Sequence, residues 1–160
     1  MNRGLTDALP ILIGEADDTV ADRLCFLLEE NGARVSIETT GSRVLDLALN
    51  EKFGLLIIAV RLPILSGIDT LTFLREHGVK TPAIGLVDIA DQTSPSSDER
   101  LSLDAGFACL LDRTLAIEDV QTALSVALKQ EKREGDDSAH RKTSPRIPFF
   151  SKFGSWQRRD

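Results

Sequence analysis

Five short apolar runs alternate with five segments of helical period, and that alternation constrains the fold of this 160-residue chain more than any other feature. The apolar runs are PILIGE (10–15), ARVSIET (33–39), LLIIAV (55–60), PAIGLV (82–87) and FACLL (107–111). Between and after them lie TVADRLCFLLEENG (19–32), SRVLDLALNEK (42–52), IDTLTFLREHG (68–78), SDERLSLDAG (97–106) and IEDVQTALSVALKQ (117–130). Val20, Leu24, Leu27 and Leu28 recur on one face of the first of these, and Val120, Leu124 and Leu128 on one face of the last. Thr19 followed by Asp22 reads as a capping box at the start of the first helix, and Asn31-Gly32 as its stop. With connections this short, each helix must cross over between parallel strands. The expected fold is therefore α/β, a five-stranded parallel sheet with helices on both faces. LLIIAV carries no polar residue, as a strand covered on both sides should. Sheets of this kind place their working site at the carboxyl ends of the strands.

Composition divides the chain in two. Residues 1–133 read as the folded domain and 134–160 as a disordered tail rich in charge, Pro, Gly and Ser. The chain's net charge of −6 conceals an asymmetry: residues 138–160 hold six basic residues and one acid, leaving the remainder strongly acidic. An acidic body argues against broad nucleic-acid binding by the folded part. The basic tail is interleaved with Phe149, Phe150, Phe153 and Trp156, which is unusual for a linker. Cys25 and Cys109 fit no metal or redox spacing and read as reduced core residues of a cytoplasmic protein. The apolar stretch 9–13 is too short for a signal peptide, and no run approaches the roughly 20 residues that span a bilayer.

Four segments carry a family resemblance: ILIGEADD (11–18), LLIIAVRLPILSG (55–67), TPAIGLV (81–87) and LDAGFACLLDRT (103–114). In order and spacing the chain from about residue 10 to 130 resembles the receiver domain of two-component response regulators, a flavodoxin-like fold. The resemblance implies a task for each strand end. An Asp after strand three accepts a phosphoryl group, and an acidic pair after strand one helps it hold Mg²⁺. A Thr or Ser after strand four and a Lys after strand five, followed by a cis-forming Pro, contact the phosphate. An aromatic residue on strand five reports the change.

At those positions this chain departs. Ala59 stands at the phosphoacceptor position, and a methyl group has no lone pair with which to attack phosphorus. Glu15 keeps the first acidic position, but Ala16 replaces the second, removing an oxygen that Mg²⁺ would require. Val87 stands for the Thr, Arg113 for the Lys, Thr114 for the Pro and Leu110 for the aromatic residue. Pro63, Gly67 and Gly106 keep the scaffold of the turns. The resemblance is therefore to a pseudo-receiver, with no catalytic residue and no cofactor expected.

Several residues fit two roles. Asp17 and Asp18 suit capping of the first helix, and Glu15 with Asp17 suits a residual metal site. Arg113 suits a salt bridge to Glu15, Asp17 or Asp88, or an anion held in the vacated pocket. His77 and His140 have no ligating constellation around them, and DQTSPSSDER (91–100) reads as a solvated loop. In the tail, Arg141, Arg146, Arg158 and Arg159 among aromatics suit an anionic membrane surface, a nucleic acid or nucleotide, an acidic protein groove, or no ligand beyond the acidic body, and the resemblance implies cyclic di-GMP as the specific nucleotide. The resemblance implies a signalling partner, such as a kinase, phosphotransferase or other regulator. It would dock on the fourth helix, fifth strand and fifth helix, here about residues 95–130, with no DNA-binding domain attached. The expected function is phosphorylation-independent signalling by protein–protein interaction, with a tail-borne cyclic di-GMP effector as the alternative.

Overall fold

The computed structural model of the chain describes residues 8–88, 102, 104–136 and 149–150, with side chains at 8–88, 102 and 104–129. In chain order the elements are β1 (Pro10–Gly14), α1 (Asp18–Glu30), β2 (Arg34–Glu38), α2 (Gly41–Asn50), β3 (Leu55–Ala59), α3 (Gly67–Glu76), β4 (Ala83–Val87), β5 (Cys109–Asp112), α4 (Ile117–Asp136) and β6 (Phe149–Phe150). The strands form one sheet in the order β2-β1-β3-β4-β5-β6, and every pairing is parallel. The chain runs outward from β1 to β2, then back across β1 to β3. At that reversal the loops after β1 and β3 leave toward opposite faces and open a crevice at the sheet's carboxyl edge.

The apolar runs are buried as their composition requires. All five residues of β3 and of β4 are buried, while β2 at one edge alternates exposed and half-buried positions. Ile11, Leu12 and Ile13 of β1 pack with Leu24 and Leu28 of α1 and Leu71 and Leu74 of α3, all fully buried. Side chains of this size each contribute about 1.5–3 kcal/mol on burial. Close approach of the chain to itself adds a constraint at Gly67. Its amide donates to the Val60 carbonyl at 3.0 Å, and a Cβ there would run into the carbonyl of Ala59.

Three expectations differ in detail. The first helix is capped by Asp17, as one reading of the two aspartates had it, and not by the Thr19 capping box: the Asp17 carboxylate accepts from the amides of Thr19 (2.9 Å) and Val20 (3.3 Å). Being negative, Asp17 also suits the positive end of the helix dipole, which a hydroxyl does not. The last helix does not stop at Gln130 but runs to Asp136, past the expected domain boundary at 133. Residues 129–134 (KQEKRE) changed the composition without breaking the helix, because Lys, Gln, Glu and Arg are strong helix formers. Beyond the five expected strands, Phe149–Phe150 adds a sixth, too short to leave a periodicity in the sequence. The other tail residues, the loop at 91–100 and most of the helix expected over 97–106 lie outside the described residues. Ser102, Asp104 and Ala105 of that helix are helical.

Among the described residues no helix is long and apolar enough to cross a membrane. Both cysteines are free, Cys109 buried and Cys25 half-buried. Burial pushes the Cys109 thiol up to about 12. Burial, then a hydrogen bond to Glu29 (3.2 Å), pushes Cys25 up to about 11.

Two outcomes follow. Gly67→Ala should lower stability by about 2–4 kcal/mol, read from urea denaturation, because the backbone itself must move. Alkylation by iodoacetamide at pH 8 should modify Cys109 roughly 100-fold more slowly in the native protein than in denaturant, since only the thiolate reacts and the fold withholds it.

Candidate functional site

The carboxyl ends of four strands bring the candidate residues together. β1 runs into Glu15, Ala16 and Asp17; β3 ends at Ala59; β4 ends at Val87; β5 runs through Asp112 into Arg113. Backbone bonds fix their mutual height: Val60 donates to Leu86 at 2.9 Å, Arg113 to Val87 at 2.9 Å, and Glu15 to Glu38 at 3.0 Å.

The floor of this site is apolar. Ala59 is 2% exposed and Val87 4%, so neither offers a donor or acceptor beyond its backbone. Glu15, also 2% exposed, is the buried charge that such a floor must compensate. Compensation comes from β5: Arg113 Nε donates to Glu15 Oε1 at 2.8 Å. The other Glu15 oxygen accepts from the Asp17 amide at 3.2 Å. Arg113 Nη2 stands 3.8 Å from Asp17 Oδ2, an outer contact that water screens. Of the salt-bridge partners foreseen for Arg113, the structure therefore brings Glu15 and Asp17 to it. The carboxylates with metal-ligand chemistry are both engaged, Glu15 with Arg113 and Asp17 with the amides of α1, while Ala16 points a methyl to solvent. Among the described residues no group of three or more His, Cys, Asp or Glu side chains is placed to hold a metal ion.

The turn after β3 is tight. The Leu65 amide donates to the Pro63 carbonyl at 2.8 Å across Ile64, whose φ is 72°. A β-branched residue rarely adopts that conformation. Ile64 is 83% exposed, so no burial offsets the strain there. The turn after β5 is held differently. Thr114 donates its hydroxyl to Asp112 Oδ2 at 2.8 Å, and Leu115 follows at φ 55°, its carbonyl accepting from Arg23 at 3.3 Å.

Two participants escaped the sequence reading. Asp112, 3% exposed, orients Thr114; it was hidden as one more acid at the end of a strand. Gly85 pairs with Leu110 across β4 and β5, and a Cβ on Gly85 would stand 2.8 Å or less from the Leu110 side chain, at 2.7 Å. Its signal was available: a glycine in the middle of AIGLV marks a close approach. Leu110 fills that space and is 1% exposed. His77 ends α3, with Nδ1 2.8 Å from the Phe73 carbonyl. His140, Arg141, Arg146, Arg158 and Arg159 lie outside the described residues.

The Arg113–Glu15 pair sets a measurable expectation. Arg113→Met should destabilise the fold by about 1–3 kcal/mol by leaving a buried carboxylate without its donor. Adding Glu15→Gln should recover part of that loss, giving a non-additive double-mutant cycle in urea denaturation.

No family model matches the sequence. Among curated proteins the chain is similar to the "Uncharacterized transcriptional regulatory protein YkoG" of Bacillus subtilis, 32% identical over 127 residues, covering 79% of this chain and 54% of that protein. It is also similar to the "Transcriptional regulatory protein FixJ" of Azorhizobium caulinodans, 26% identical over 148 residues, covering 92% of this chain and 68% of that one. The chain thus spans about half the length of the first of these relatives and just over two thirds of the second. Among solved structures, the receiver domain of the Francisella response regulator 1452 superposes with a TM-score of 0.67 at 24% identity, over 77% of this chain and 98% of that one. The chain has the receiver fold, and in sequence it is similar to proteins named as transcriptional regulatory proteins and response regulators.

Proposed function

We propose that the chain is a pseudo-receiver, a receiver domain that signals by binding a protein partner and takes no phosphoryl group. The observation that carries this reading is the floor of the strand-end crevice. Ala59 stands where an acyl phosphate would have to form, and it is buried, as is Val87 at the end of the neighbouring strand. Arg113, the cation of the site, is committed to Glu15 at 2.8 Å. A receiver of this composition needs neither Mg²⁺ nor a phosphoryl donor, and its regulation lies in abundance, partner binding or a ligand. The partner, a kinase, phosphotransferase or other regulator, would dock on the face of about residues 95–130. That face includes β5 and the first turns of α4, where Ile117 is 54% exposed.

The charge pattern of the tail favours a second reading, a cyclic di-GMP effector. Residues 138–160 carry six basic residues among four aromatics, a mixture that pairs with phosphate and stacks on bases.

Incubation with radiolabelled acetyl phosphate and Mg²⁺ should leave the wild-type chain unlabelled. Label that disappears in Asp17→Asn plus Asp18→Asn would instead mark a working phosphoacceptor and end the pseudo-receiver reading. Calorimetry with cyclic di-GMP separates the two proposals. No heat leaves the adaptor; micromolar binding that is abolished by Ala at Arg141, Arg146, Arg158 and Arg159 establishes the effector.

A further inference from the structure

The two edges of the sheet as far as β5 differ in kind. β2 is RVSIE, with Arg34, Ser36 and Glu38 along it, and its positions are exposed or half-buried. Charged, polar edges of this sort resist unwanted pairing. β5 is CLLD, buried at all four positions, with Cys109 fully buried and Leu110 and Leu111 each 1% exposed. Left as an edge, it would present a row of unpaired backbone groups beside apolar side chains, with its one acid, Asp112, buried and bonded to Thr114, so that no exposed charge defends it as on β2. β6 lies along that edge, Leu110 paired with Phe149 and Leu111 with Phe150, and against α4 as well.

Chain reach allows the pairing. Twenty residues of α4 extend about 30 Å, and the twelve residues 137–148 span up to ~40 Å, more than enough to return to the edge. The path also repeats the strand–helix–parallel-strand order of the rest of the sheet. Charge favours it too: residues 138–160 carry +5 and the rest of the chain −11, so the tail is drawn to the body before any specific contact forms. Pro145 and Pro148 precede the segment, and proline, lacking an amide donor, discourages a further strand from adding outside it.

We propose that the β5 edge is a strand-docking surface and that its occupant is the chain's own Phe149–Phe150 segment, bound in cis. The basic, aromatic tail is then a cap that completes the sheet. A protein that adds a strand to this edge must first displace the cap, so docking there is set against an internal competitor at a high effective concentration. The competitor matters for signalling only if the partner face proposed above is the right one, but the cap itself stands without it.

Residue-resolved hydrogen exchange on the full-length chain tests the proposal. In the wild type, outward amides within 109–112 should be protected. Phe150→Pro, and separately Phe149→Asp with Phe150→Asp, should speed their exchange at least about tenfold, with the amides of 11–13 and 56–58 unchanged as proof that the fold persists. Equal exchange at 109–112 in wild type and both variants would overturn the cap. Protection that grows with protein concentration alongside a dimer mass would overturn binding in cis, since the strand would then come from a second copy. The measurement uses no partner and no phosphoryl donor, so its failure is separate from a failure of the pseudo-receiver reading.

Discussion

Burial of β3 on both faces is the constraint on which the rest of the structure depends. Leu55 to Ile58 are fully inaccessible, and the strand pairs with β1 on one side and β4 on the other. A strand held this way cannot shift or tilt without exposing apolar surface and breaking two ladders, so its carboxyl end is a fixed point. Gly67 carries that point into α3 by bringing the helix start against the Ala59 carbonyl. The crevice thus inherits its geometry from the core and not from the side chains that line it. The residues that position the strand ends therefore differ from those whose side chains line the crevice.

The charges within the crevice obey one electrostatic rule. A cluster of carboxylates is tolerable when a cation or metal sits among them, and costly otherwise. Here Glu15 is a buried acid with Asp17 half-exposed beside it, Arg113 supplies the opposite charge, and the other buried acid, Asp112, accepts from the Thr114 hydroxyl. Arginine suits the task better than lysine, because its guanidinium reaches Glu15 through Nε while Nη2 extends toward Asp17. The cation that pairs with the buried Glu15 thus comes from the chain itself.

Most of the architecture was legible because the signals were strong and local. Continuous apolar runs gave the strands, helical period gave the amphipathic segments, and Asn31-Gly32 marked the end of α1, with Gly32 at φ 87°. What escaped depends on partners distant in sequence. Nothing local says that Gly85 makes room for Leu110, twenty-five residues on, or that Asp112 will be buried and bound to Thr114. Both Asp17 and Thr19 read as caps of α1, and the choice between them is a matter of two residues that periodicity does not resolve. The two residues of β6 carry no period, and their place is set by the edge they meet.

The contact between Gly85 and Leu110 couples these two positions. A Cβ at 85 would meet the end of the Leu110 side chain, so it is accommodated only if that side chain turns aside. A smaller residue at 110 would leave a cavity on the β5 side that a side chain on β4 could fill. Volume at this level of the core is therefore shared between two adjacent strands, and a change at either position is felt at the other.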